Sequence, residues 1–402
     1  MVMQYNDPAG GTASTVGTQI RTDHFHRKAI IDNKDEVVFT PMASTMEQPK
    51  NNGKTMKCFR YFPIIDDRNT ATGGLNAAGA TISNANLYGD SKNVGDMLAF
   101  KPVLTENDAE VNKVKMTRTV VEGNIENLGF FMSYTKDSID FDSDADLMQH
   151  YMREMLNAAI KVSEELLQYD LLQAAEVIRY CGEATSDATI TGNTGSTASL
   201  VTLKDLTAVT KILNANKTPM QTKLVTGSSL QDTKVIPRSR YAFISPDLSE
   251  TIRKMKDSDN NNVFIPAEQY ADAGNEKYVS ARAKEIGAIR EIRFFEYEEM
   301  KVYAAAGADV TTNGGYRSSD DSGTEKYDVY PILIVGDDSF VALTFQSNAK
   351  TQNFKIRHFK PEDIKTKSNP FQKEGLFSIE WWYGFLPKKP ERIAVIKTVA
   401  EE

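Results

Sequence analysis

Between Ala145 and Cys181 the chain runs "ADLMQHYMREMLNAAIKVSEELLQYDLLQAAEVIRYC" without a glycine or a proline, and this run limits the fold more than any other feature. The two residue types that break helices are missing from a stretch rich in good helix formers. Apolar side chains recur at Met148, Met152, Met155, Ala159, Val162 and Leu166, then shift by one to Leu167, Leu171, Ala174 and Ile178. That is how a 3.6-residue period drifts. Ser143 or Asp144 can cap the start and Gly182 can stop the end. The spacing predicts one helix of about 55 Å at 1.5 Å per residue. A rod of that length exceeds what an ordinary domain needs.

The rest reads mostly as strand and loop. Residues 1–52 are polar, with short apolar patches such as "KAIIDNKDEVVF", and this composition predicts an arm with too little apolar content to be core. Two strand-like runs, "GKTMKCFRYFPI" and "KVKMTRTVVEGNIENLGFFMSYT", are joined by a long Gly/Ala/Asn-rich link, which predicts an extended hairpin or projecting loop. After the helix come a polar loop, a helix in "LKDLTAVTKILNAN", and a strand, turn and short helix in "RYAFISPDLSETIRKM". Strands follow in "IGAIREIRFFEYEEMKVYAAAG", a surface loop in "TTNGGYRSSDDSGTEK" and buried strand in "VYPILIVGDDSFVALTF".

Both tryptophans stand together in "EGLFSIEWWYGF", followed by a turn and the β-branched run "IAVIKTVA". At period two, Phe377, Ile379, Trp381, Tyr383 and Phe385 share one side, and Ser378, Glu380, Trp382, Gly384 and Leu386 the other. The first side is wholly apolar or aromatic and predicts an inner face; Trp382 then falls on the outer one. The chain is α+β with one dominant helix.

The chemistry that would mark an enzyme is not legible. "GLNAAGAT" has the glycine spacing of a phosphate loop but Ala80 where the lysine belongs. Asp140, Asp142 and Asp144 resemble the front of a calcium loop, yet its sixth place is Ala145 and its twelfth Tyr151, so helix capping explains these acids better. His24 and His26 have no zinc partners nearby in sequence, and no GxSxG or HExxH occurs. No cofactor and no metal is therefore expected. Cys58 and Cys181 stand far apart and predict free thiols. With 47 Lys plus Arg against 55 Asp plus Glu, the formal charge of −8 argues against a bulk nucleic-acid binder. The start lacks a cationic segment followed by an apolar one, which predicts synthesis and first folding in the cytoplasm and no membrane association.

A polar arm, a "GKTMKCFRYFP" strand opening a long loop, an unbroken helix ending in "LLQYDLLQAAEVIRYCG" and a closing "NPFQKEGLFSIEWWYGF" together resemble bacteriophage major capsid proteins of the HK97-type fold. More narrowly the chain looks like the branch found in Schitoviridae-like podoviruses, over about Thr18 to Lys397. The resemblance implies an N-terminal arm at 1–52, an extended loop with adjoining strands at 53–135, and a peripheral-domain spine helix at 136–182. An axial domain at 183–345 and return strands of the peripheral domain at 346–402, covering the spine helix, complete it. It implies a head-shell protein that self-assembles as hexamers and pentamers into an icosahedral phage head around double-stranded DNA, without sequence-specific binding. The implied partners are a separate scaffolding protein, a portal and a possible decoration protein; the implied location is the virion capsid, after synthesis in the host bacterial cytoplasm. Phe59, Arg60, Tyr61 and Trp382 are the candidate subunit-interface residues. The alternatives are another virion structural protein, such as a tail or decoration component, or a phage enzyme of unknown chemistry.

Overall fold

The structure, a computed structural model, describes residues 38–48, 53–61, 118–140, 147–223, 235–267, 285–345, 354–364 and 370–402. Its strands are β1 (Ser44–Gln48), β2 (Thr55–Tyr61), β3 (Arg118–Thr135), β4 (Val177–Tyr180), β5 (Gln221–Lys223), β6 (Val235–Ile244), β7 (Ile265–Pro266), β8 (Glu285–Ile289), β9 (Ile292–Glu296), β10 (Ser318–Asp321), β11 (Thr324–Tyr327), β12 (Tyr330–Val335), β13 (Val341–Phe345), β14 (Phe354–Phe359), β15 (Glu374–Leu386) and β16 (Ile393–Thr398). The chain divides into two compact units, one of Glu36–Gly129, Ala158–Lys355 and Glu380–Glu402, the other of Met1–Asp35, Phe130–Asn157 and Ile356–Ile379.

In the larger unit an eight-stranded sheet runs β4-β16-β12-β6-β9-β8-β7, with β5 on β6. Its central strands are nearly continuous apolar runs, "YPILIV" in β12 and "IAVIKT" in β16, and every residue of both is buried. The reason is that both faces are covered. Ala242, Ile244, Phe294, Ile332, Ile334, Ala394 and Ile396 face a cluster completed by Leu206, Val209 and Leu213 of a helix at Leu203–Ala215. Their neighbours Tyr241, Phe243, Phe295, Leu333, Val335, Ile393 and Val395 face a second cluster with Leu167, Leu171 and Leu172 of the long helix. Period two thus splits each strand between two helices. Lys397, the one basic residue of β16, is accommodated at the sheet's side by Asp187, 2.7 Å from its Nζ, and by the Tyr303 ring, 4.6 Å away.

The long helix spans Leu147–Ala174, 28 residues and about 42 Å, shorter than expected. Residues 136–182 are not one helix: Lys136–Asp140 form a short one, and Val177–Tyr180 leave the helix to become β4. The β-branched Val177 and Ile178 pair in parallel with Ala394 and Val395, so sheet pairing overrides the helical pattern. The expected cap at Ser143 or Asp144 lies outside the described residues, as do the Gly74–Thr81 loop and the His24/His26 pair.

The apolar stripe also has a different register. Met155, Ala159, Leu167 and Leu171 are buried as expected, but Val162 is 39% exposed and Ile178 lies in β4, exposed. In place of Val162 the helix buries Glu164, whose carboxylate accepts the backbone N–H groups of Val38 (3.3 Å), Phe39 (2.9 Å) and Thr40 (3.1 Å) and the Thr40 hydroxyl. A buried charge is tolerated where donors surround it in this way. Burial nonetheless outweighs these donors and raises the Glu164 pKa.

Those partners overturn the reading of residues 1–52 as arm throughout. Phe39 is fully buried in the second cluster, and β1 pairs in parallel with β13 from Ser44↔Val341 to Gln48↔Phe345. The six-stranded sheet runs β1-β13-β15-β3-β2, with β14 on β15. Of the expected return strands, β15 belongs to it, whereas β16 joins the eight-stranded sheet; β13, assigned from the sequence to 183–345, sits beside β15. The surface loop at 311–326 contains a hairpin, β10 with β11, turning at Ser322 and Gly323 with φ of +55° and +94°.

In the smaller unit Phe377 is fully buried, stacked on His358 (ring centroids 4.2 Å, planes 12° apart) and flanked by Tyr134 at 5.3 Å and Tyr151 at 6.4 Å. The Tyr134 hydroxyl lies 2.6 Å from His358 Nε2. Burial, and then the nearby Lys360 charge, lower the His358 pKa below its ordinary value.

Candidate assembly surface

The two strand-like runs around the long link do form an antiparallel pair, in register from Thr55↔Asn124 to Tyr61↔Arg118. Alternation gives this hairpin two faces of opposite character. Outward lie Thr55 bonded to Asn124 (2.8 Å), Lys57 paired with Glu122 (2.9 Å), then Phe59 opposite Val120 and Tyr61 opposite Arg118. Phe59 is 61% and Tyr61 54% exposed, and the Arg118 guanidinium lies 4.4 Å from the Phe59 ring centroid. The outer face thus presents exposed apolar and aromatic side chains beside the Lys57–Glu122 pair and Arg118.

Inward, Met56, Cys58 and Val121 pack against Ile125, Val341, Leu343 and Leu386, with Trp382 in the same cluster. Close approach here requires glycine: a Cβ on Gly123 would come within 2.5 Å of the Phe385 carbonyl oxygen. The inward row ends in Arg60, whose guanidinium grips Glu391 with both nitrogens, Nη1 at 3.0 Å from Oε2 and Nη2 on Oε1. The pair is withdrawn from water, with side chains 17% and 3% exposed. Glu391 belongs to the short turn Pro390–Arg392 between β15 and β16, and its backbone carbonyl accepts from Asn216 Nδ2 at 2.9 Å. Glu176, whose N–H donates to the Pro390 carbonyl, faces the same pair: burial and then the Glu391 charge raise its carboxyl pKa, and Arg60 pulls it down.

Of the four residues chosen from the sequence, Phe59 and Tyr61 share the outer face, while Arg60 turns into its own subunit. Trp382 is not on a bare outer face. Tyr383 and Phe385 pack beside Leu167 and Leu171, and the Tyr383 hydroxyl donates to Asp170, so this part of β15 does cover the long helix. Trp382 and Leu386 pack on the opposite side into the cluster beneath the hairpin. Trp382 is half-buried there among side chains that β2, β3 and β13 present on the same face of the sheet, neighbours that alternation alone does not reveal. Val120 and Arg118, absent from the sequence choice, join the outer face through strand register. Glu391 carried no local signal.

Among the described residues no group of three or more His, Cys, Asp or Glu side chains is gathered as a metal site, and no helix is long and apolar enough to cross a membrane. A family model described as phage capsid protein matches residues 119–342. The major capsid protein of Pseudomonas phage KPP21 is 40% identical over 399 residues, 99% of this chain and 97% of that one. The fold is similar to the capsid of Ralstonia phage GP4 (TM-score 0.54, 11% identity, 97% of this chain and 98% of that) and to the cyanophage Pam1 capsid (TM-score 0.52, 14% identity, 96% and 98%). An α+β chain with a two-faced hairpin, matched along its whole length by a capsid protein, belongs to the phage capsid protein family.

Proposed function

We propose that this chain is the major capsid protein of a phage head, a structural and non-catalytic subunit of HK97 type in the Schitoviridae-like podovirus branch. The observation that carries the reading is the hairpin: its inner face is bound to its own core, while Phe59, Tyr61 and Val120 stay uncovered on the outer face. A second copy of the chain is the occupant, in an icosahedral shell of hexamers and pentamers. In this reading residues 53–135 supply the extended loop, the long helix the spine, and most of 183–345 the axial domain. The net charge of −8 suits a container for double-stranded DNA, since a strongly basic wall would hold the genome non-specifically. A separate scaffolding protein, a portal and a decoration protein are the further partners, with synthesis in the host cytoplasm and residence in the virion.

The test is the double variant Phe59→Ser/Tyr61→Ser in the full chain. Both side chains are mostly in water, so circular dichroism and soluble yield stay as in wild type, while sedimentation finds far fewer particles. Particle yield equal to wild type would overturn the outer face as the assembly surface.

A further inference from the structure

We propose that the buried Arg60–Glu391 pair is the device that aims the hairpin, making Arg60 a positioning residue for assembly without contact to the neighbouring copy. The inference rests on the reading of the outer face given above. Alternate residues of one short strand point in opposite directions: Phe59 and Tyr61 outward, Arg60 between them inward onto Glu391. Anything that rotates or slides β2 therefore moves the aromatic pair with it. The ladder to β3 sets the register of β2, and of its other inward side chains Met56 and Cys58 make partly buried apolar contacts that tolerate sliding. The guanidinium–carboxylate fork does not, because two parallel hydrogen bonds fix both distance and plane.

The location of Glu391 strengthens this. It stands in the turn that carries the chain from β15 of one sheet to β16 of the other, and that turn is itself tied down by Asn216 on its carbonyl and by the Glu176 N–H on Pro390. Arg60 thus anchors the hairpin to a fixed point of the larger unit, not to another mobile surface. A pair so enclosed is a poor source of net stability compared with apolar packing, and its best-attested use is to specify one arrangement among several.

The experiment compares Arg60→Ala, Arg60→Lys and Phe59→Ser/Tyr61→Ser, each in the full chain. Hydrogen exchange on unassembled subunits reads the amides of β2 and β3 against those of β6, β12 and β16; sedimentation reads particle yield. Arg60→Ala should lose at least ~10-fold in β2 protection, equivalent to about 1.4 kcal/mol, with β6, β12 and β16 unchanged, and should lose particles as the outer-face variant does. Arg60→Lys, keeping the charge without the fork, should restore both in part. Unchanged β2 protection in Arg60→Ala overturns the proposal. So does lost protection with normal particle yield where Phe59→Ser/Tyr61→Ser blocks assembly. If the outer-face variant itself assembles normally, the outer-face reading has failed and the aiming role falls with it, while the exchange data still report the lock.

Discussion

Truncating Phe39 to alanine removes a fully buried ring from the cluster between the long helix and the eight-stranded sheet. The ring meets Phe243 edge-on (centroids 5.0 Å apart, planes at 62°) and Tyr297 likewise (5.5 Å, 83°). Large aromatic truncations in cores cost about 3–5 kcal/mol, transfer and cavity together, and each aromatic pair lost adds about 0.5–1.5 kcal/mol beyond area. Against a typical total of about 5–15 kcal/mol, the variant loses from roughly a quarter of its margin to all of it. Urea unfolding of unassembled subunits, followed by tryptophan fluorescence, measures the loss, with Phe39→Leu, which keeps most of the apolar volume but neither ring contact, as the smaller perturbation. The same argument separates two truncations. A chain beginning at Val38 keeps Phe39, the three amides on Glu164 and β1; one beginning at Gly53 loses them all and should not accumulate as folded subunit. Phe39→Ala within 1 kcal/mol of wild type, or a Gly53 start with a wild-type urea midpoint, would refute the placement of residues 38–48 in the core.

The stripe on the long helix predicts opposite fates for two aspartates: Leu171→Asp, at a fully buried site, should abolish soluble subunit, whereas Val162→Asp, at a site 39% exposed, should leave yield unchanged. Both tryptophans should matter to the single subunit. Trp381→Ala should cost about 3–5 kcal/mol, and Trp382→Ala less, with its loss visible as faster exchange in β2 and β3, whose inner face shares its cluster. For Glu164 the folded pKa lies above the ordinary 4.5 because of burial. The folded state therefore binds the extra proton, and this group's contribution becomes less favourable as pH rises from about 4.5 through the folded value. The wild-type midpoint should fall relative to Glu164→Gln between pH 4.5 and 8, and a rise instead would reverse the sign of the argument.

What could be read from the sequence was what local pattern decides. "YPILIV" and "IAVIKT" announce strands because their apolar runs are unbroken, and Leu203–Ala215 announces a helix by its periodicity. What could not be read depends on partners far along the chain. Nothing near Glu164 says that a backbone segment more than a hundred residues earlier will bring three amides to it. Period two puts Arg60 on the same side as Met56 and Cys58, yet its carboxylate partner is 331 positions away. Trp382 falls on the side opposite Trp381 as alternation places it, but its half-burial comes from side chains of β2, β3 and β13 beside it in the sheet, which no local pattern announces. The end of the long helix failed for a related reason, since β4 exists only through its ladder to β16.

That ladder also sets an order of events at the ribosome. β16 lies between β4 and β12, parallel to one and antiparallel to the other, so Val177–Tyr180 and Tyr330–Val335 face an empty lane until Ile393–Thr398 has been translated. Before then the nascent polypeptide exposes the unpaired edge of Tyr330–Val335, the kind of template on which chains stick to one another. Pairings of such sequence separation also form slowly. The eight-stranded sheet consequently stays open between β4 and β12 until its penultimate stretch of chain has been made.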